Sequence, residues 1–201
     1  MLSGETAAGK YPVESVKTMA RIALKAESAF KHKEIFSKIS KTQMNTVTES
    51  ISQAVANAAL DLEAKAIITA THSGYTARMV SKYRPKAPVI AITPDEHVMR
   101  RLCLVWGVYP VKAKQAETTD EMFTEAVERS VQSGYVSLGD LVVITAGVPV
   151  GRSGTTNLIK VHHVGEMIAQ GQGIGSQCST GRVVVAHSAE EANRKTTDGA
   201  V

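Results

Sequence analysis

The sequence predicts an α/β fold: three αβα layers around a mostly parallel five-stranded sheet, preceded by helices, with a last strand that runs antiparallel. Three observations carry this. Short apolar runs rich in Val and Ile alternate with longer stretches whose apolar residues recur at helical spacing, the pattern of βαβ units. Those longer stretches open on Thr-, Asp- or Pro-containing caps and stop at Gly or Pro. The last two apolar runs are joined by about ten residues without a helix, shorter than a parallel crossover requires. The final strand must therefore turn back on its neighbour.

Taken in order, Pro12 suits the first turn of a helix, and Val13, Val16, Ala20, Ala23 and Leu24 mark one face over 12–30. A shorter helix is expected at 33–40. Thr46-Val47-Thr48-Glu49 has capping-box spacing, and Val47, Ile51, Val55, Ala58, Ala59 and Leu62 continue a stripe over 46–63. Residues 66–70 (AIITA) form a buried strand, and Ser73-Gly74 opens a helix over 74–84 that Pro85 stops. The next strand is 88–92. Thr93-Pro94-Asp95-Glu96 predicts a helix over 94–103 with Thr93 as its cap. A weaker strand is expected at 107–111. Thr118-Thr119-Asp120-Glu121 caps a helix over 119–133, closed by Gly134, and the last strands fall at 141–145 and 157–164.

From Gly165 the texture changes. Gly171 to Ser176 has the composition of a linker, 181–186 reads as a new strand and 188–195 as a new helix. These read as the start of a further domain cut short.

Composition narrows the function. The chain has 201 residues, of which 43% are hydrophobic and 21% charged, enough for a real core. Aromatics are 4%, which excludes interleaved stacking platforms for single-stranded nucleic acid. The net charge is +4, but Lys31-His32-Lys33 and Arg100-Arg101 are broken up by Glu34 and Glu96, so they read as solvated faces and not as a nucleic-acid partner surface. No apolar run is long enough to span a membrane, and Met1 to Glu5 has no signal-peptide pattern. Cys103 and Cys178 are far apart and form no metal pair; Cys103, in an apolar stretch, is expected in the core.

Two loops could hold an anion. Thr71, His72, Ser73, Gly74 and Thr76 lie where a buried strand gives way to a helix, at the carboxyl end of the strand. There the free N–H groups and the positive end of the helix dipole favour a phosphate. The alternative is that Ser73 is a helix cap and Thr71 a turn residue. The loop from Gly147 to Thr156, with Gly151, Arg152, Ser153 and Gly154, offers an arginine and hydroxyls for a phosphate clamp, or is a plain connecting loop. Gly4 to Lys10 has P-loop spacing but is followed by Tyr11 where Ser or Thr should hold Mg²⁺, and no strand precedes it. His162 and His163, adjacent on a strand, face opposite sides and cannot share a metal.

Three motifs in register carry a resemblance. Met1 to Ala7 with Gly9 to Val16, Thr71 to Thr93, and Gly151 to Asn157 together resemble pyruvate kinase. The resemblance implies that 1–31 closes the catalytic barrel domain, that 32–165 is the C-terminal α/β regulatory domain, and that 166–201 begins an extra C-terminal domain like that of phosphoenolpyruvate-utilising enzymes. It implies a glycolytic phosphotransferase, cytoplasmic and homotetrameric, whose Mg²⁺, K⁺ and ADP/ATP sites lie outside this chain. No cofactor is expected in these residues, which would be inactive alone. Thr71 to Thr76 and Gly151 to Gly154 would bind the phosphate of a sugar-phosphate or nucleotide effector. His72 stands where fructose-bisphosphate-responsive relatives commonly have Lys. A free-standing α/β sugar-phosphate binding module is the alternative.

Overall fold

The computed structural model describes residues 1–40, 46–149, 154–165 and 185–195. The order is α1 (Gly4–Ala7), α2 (Pro12–Glu27), α3 (His32–Ser40), α4 (Val47–Asp61), β1 (Ala66–Ala70), α5 (Tyr75–Lys82), β2 (Val89–Thr93), α6 (Glu96–Leu102), β3 (Val108–Lys112), α7 (Thr119–Gln132), β4 (Leu141–Gly147), β5 (Thr156–His163) and α8 (Ala189–Lys195). The sheet order is β3-β2-β1-β4-β5. The first four strands are parallel, and β5 pairs antiparallel with β4.

Both faces of the sheet are covered because its strands are apolar on both sides. Ile67, Val89, Ala91 and Val143 pack under α4, α5 and α6 through Val55, Val80 and Leu102. Ile68, Ile90, Val142 and Ile144 pack on the other face with Ala126, Phe123 and Val131 of α7. This split follows from right-handed crossovers. The chain steps from β1 to β2 to β3 in one direction, which keeps α5 and α6 together. It then returns to β4 on the far side of β1, which puts α7 opposite.

The local signals hold fully at α7, in part at α4 and not at α6. Thr118 and Glu121 form the expected reciprocal capping box. At α4, Thr46 Oγ1 accepts from Glu49 N–H, and the Glu49 carboxylate takes Lys82 at 3.1 Å. At α6 the cap is Asp95 and not Thr93: Asp95 Oδ1 accepts from His97 and Val98 N–H at 2.7 and 3.1 Å. Thr93 is instead the fully buried last residue of β2. Cys103 is the C-cap of α6 and exposed, so it is not a core residue; Leu102 beside it fills the core.

α3 docks on the sheet domain through His32 Nδ1, 3.2 Å from the Arg84 carbonyl, and through Phe36 against Tyr83. α2 buries no residue, and Val13, Val16 and Leu24 of its stripe are 57%, 50% and 67% exposed. The helix expected at 188–195 is present as α8, while the linker and the strand expected at 181–186 lie outside the described residues.

Candidate functional site

All four parallel strands end at one edge, and a cleft lies there. Its space, counted out into open solvent, is about 740 Å³. Ala70, Ile92 and Gly147 line its base at the ends of β1, β2 and β4. One wall is the β1–α5 turn: Thr71, His72, Ser73 and Thr76. The opposite wall is the segment Ala113 to Ala116 after β3, with Met122 and Glu125 of α7. Gly154 and Thr155 form the rim beside β5. The cleft includes the gap between β1 and β4, where strand order reverses and open α/β sheets bind their ligands.

The β1–α5 turn is shaped by Gly74. It is the N-cap of α5, at φ +76°, and makes no side-chain cap. Ser73 is thus not the cap of this helix. A Cβ on Gly74 would come within 3.1 Å of Leu102 Cδ2 and Val98 Cγ1, so the turn is drawn tightly onto α6. Thr71 and Thr76 are buried, Ser73 is half-buried and His72 exposed. Thr76 Oγ1 lies 2.7 Å from Thr156 Oγ1, which ties the head of α5 to the start of β5.

The rim is fixed from both ends. Asn157 Oδ1 accepts from Val148 N–H at 2.9 Å, and its Nδ2 donates to the Val148 carbonyl at 2.7 Å. Thr48 Oγ1 at the head of α4 donates to the Gly154 carbonyl at 3.1 Å. A Cβ on Gly147 would meet Thr155 Oγ1 at 2.7 Å, so glycine lets the two ends of the loop close on each other. The structure thus brings Thr71, His72, Ser73, Thr76 and Gly154 to one cleft, with Gly74 setting the turn. Gly151, Arg152 and Ser153 lie outside the described residues.

Three polar lining residues were not singled out from the sequence: Lys114, Gln115 and Glu125. Lys114 and Gln115 come from the β3–α7 connection, which a parallel sheet necessarily delivers to the same edge as the β1–α5 turn, and Glu125 comes from α7 itself. Glu125 Oε1 accepts from Arg129 Nε at 2.8 Å and from Lys114 N–H at 3.0 Å, and these two bonds hold its carboxyl below the ordinary range. Nearby, the Val98 and His97 N–H groups do the same for Asp95. Among the described residues no three His, Cys, Asp or Glu side chains gather as a metal site, and no helix is long and apolar enough to cross a membrane.

Comparison with known proteins follows the same outline. Residues 49–162 match the family model described as pyruvate kinase, alpha/beta domain. Pyruvate kinase from Geobacillus stearothermophilus is 57% identical over 201 residues, all of this chain and 34% of that protein. Pyruvate kinase from Sporosarcina psychrophila is 52% identical over 201 residues, again all of this chain and 34% of its own length. That from Staphylococcus aureus strain USA300 is 49% identical over 195 residues, 97% of this chain and 33% of its own. The chain spans about a third of the length of the curated relatives it matches.

Proposed function

The chain belongs to the pyruvate kinase family and contains its C-terminal alpha/beta domain, and on that premise we propose that the cleft binds the phosphate of a sugar-phosphate or nucleotide effector. In this reading the domain regulates and assembles a cytoplasmic glycolytic phosphotransferase. Transfer between phosphoenolpyruvate and ADP takes place in the two thirds of the relatives that this chain does not span. The observation that carries the reading is the convergence of the β1–α5 turn and the β4–β5 rim on one cleft at the switch point of the sheet.

Thr71, Ser73, Gly74 and Thr76 supply N–H and hydroxyl donors at the head of α5, with His72 beside them. By the family resemblance Gly151, Arg152 and Ser153, together with Gly154 on the rim, would contribute to the same anion site. The Mg²⁺ and K⁺ that the family resemblance implies belong, in this reading, to the part of the relatives that this chain does not span, and the function proposed for this chain is anion binding. The division into 1–31, 32–165 and 166–201 is part of the same proposal. It is supported by an α2 that buries nothing while α3 docks through His32 and Phe36. The exposed stripe of α2 would then face the rest of the barrel.

A ligand at 100 times its dissociation constant stabilises the state it binds by about 2.7 kcal/mol. Sugar phosphates should therefore raise the melting midpoint of the chain, and the unphosphorylated sugars should not. Ser73→Asp should abolish that shift, because a carboxylate would stand where the anion sits. The variant leaves the Gly74 cap in place, and its melting midpoint without ligand reads any change in stability separately from the loss of the shift. A ligand-induced shift that survives in Ser73→Asp would move the site elsewhere. Activity is tested separately: a coupled assay on the purified chain should show no phosphate transfer from phosphoenolpyruvate to ADP.

A further inference from the structure

Three successive residues at the end of α5 are bonded to α4 and α3. Lys82 Nζ donates to Glu49 Oε1 at 3.1 Å, and the Tyr83 hydroxyl donates to the Glu49 carbonyl at 3.3 Å. The Arg84 carbonyl accepts from His32 Nδ1 at 3.2 Å. Arg84 stands at φ +52°, a left-handed conformation that strains a residue with a side chain. Its own Nη1 on the Ser81 carbonyl, at 3.2 Å, and its guanidinium 5.0 Å from the Trp106 ring centroid hold it there. Strain of this kind persists only where the surroundings impose it, and it clusters at switch regions.

The other side of this junction reaches the cleft. Thr48, the neighbour of Glu49, donates through Oγ1 to the Gly154 carbonyl on the rim at 3.1 Å. Thr48 and Tyr83 are both buried. Burial holds the Tyr83 hydroxyl above its ordinary range, so it keeps its proton and can donate. Phe36 of α3 packs on the Tyr83 ring, with centroids 6.2 Å apart. Rim and α3 are therefore joined by the Thr48 side chain, one peptide step to Glu49, and the Tyr83 ring. One turn further along α4, the fully buried Ser52 hydroxyl finds no partner among the described residues. The closed seam bears that cost and an opened one would not. α3 itself is lightly held: none of its residues whose exposure is described is buried. Elements with few buried contacts open at the lowest free energy.

From these contacts we propose that the first turn of α4 couples the docking of α3 to the cleft rim, with Thr48 and Tyr83 as its positioning residues. While α3 is docked, His32 and Phe36 hold the end of α5, Tyr83 holds the Glu49 carbonyl, and Thr48 holds Gly154. Release of α3 loosens the rim. Anything that fixes the rim favours docked α3 in return, because coupling between two sites is reciprocal. The coupling is a property of the unliganded chain and does not depend on what fills the cleft.

Residue-by-residue amide hydrogen exchange of the unliganded 201-residue chain tests it. Tyr83→Phe removes the hydroxyl and keeps the ring. Thr48→Val removes the other bond at nearly constant volume. In Tyr83→Phe the amides of Thr155, Thr156 and Asn157 should exchange about two- to tenfold faster, the range of one neutral hydrogen bond. In Thr48→Val the amides of Ile35 to Ile39 in α3 should speed up by a similar factor. α7, on the opposite face of the sheet, should keep its wild-type rates in both variants. The double variant should exchange at the rim no faster than Thr48→Val alone, since both changes act through one element. Thr48→Ser, which keeps the hydroxyl, should match the wild type. Wild-type rates at the rim in Tyr83→Phe, or at α3 in Thr48→Val, would overturn the coupling. Additive effects in the double variant would overturn it too, as would an equal rise in α7, the mark of general loosening. If Thr48→Val does not fold, Tyr83→Phe decides the question at the rim alone.

Discussion

At Gly74, one residue sets both the geometry of the turn and its closeness to α6. The left-handed φ strains any side chain, and a Cβ would press on Leu102 and Val98. Gly74→Ala is expected to cost about 2 kcal/mol, which lowers the melting midpoint by about 4–8 °C in a chain of this size. Thermal unfolding followed by circular dichroism checks it. Asp95 and Glu125 are among the groups that make stability depend on pH. Asp95 is held low by Val98 and His97 N–H, and Glu125 by Arg129 and Lys114 N–H. A carboxyl whose value is lower folded than unfolded adds stability that is fully present above the unfolded value and is lost as pH falls through the folded one. These carboxylates should therefore leave the midpoint unchanged from pH 7 down to about 5 and lower it below about 4, while His162, held low by burial, begins to lower it below about 6.5. Asp95→Asn, which still caps but does not titrate, should make that drop shallower.

The Thr76–Thr156 bond joins an α-helix to an edge strand inside the protein, with Thr156 only 1% exposed. Thr76→Val strands the buried Thr156 hydroxyl and should cost about 1–3 kcal/mol, whereas Thr76→Val with Thr156→Val should recover most of that. Urea unfolding of the two single variants and the double variant measures the difference. Elements were the most legible level of the sequence, because strand content, helix periodicity and loop length are local. The antiparallel β5 could be read from the shortness of its connection alone. Caps were less legible where two good candidates compete. Thr93 and Asp95 both suit an N-cap, and burial of Thr93 at the end of β2 decides for Asp95. Gly74 as cap and Cys103 at the surface depend on how α5 and α6 meet, which no local pattern encodes. Half of the cleft was legible for the same reason: the Thr71–Thr76 turn announces itself, while Glu125 reaches it only through the return of the chain to β4.

At the scale of the whole molecule, β3 and β5 are the edges of the sheet among the described residues, and β5 carries the half-exposed Val161. An edge of that length invites pairing with another copy. The chain should sediment as a dimer or larger species at high micromolar concentration, and Val161→Lys should shift it toward monomer. Monomer alone in the wild type would count against assembly through β5. The strand order has a further consequence, for synthesis. β1 lies at the centre of the sheet, but its two neighbours are made at very different times: Ile67 meets Val89 soon, and Val143 only after β2, β3 and α7 have been made. A chain emerging from the ribosome therefore carries a three-stranded half-sheet in which the apolar β1 has one flank bare. That flank is sealed late, across a long loop, by β4 with β5 folded onto it as a ready-made hairpin. The interval before β4 arrives is when this chain is most exposed to pairing with the wrong strand, and when a chaperone has most to protect.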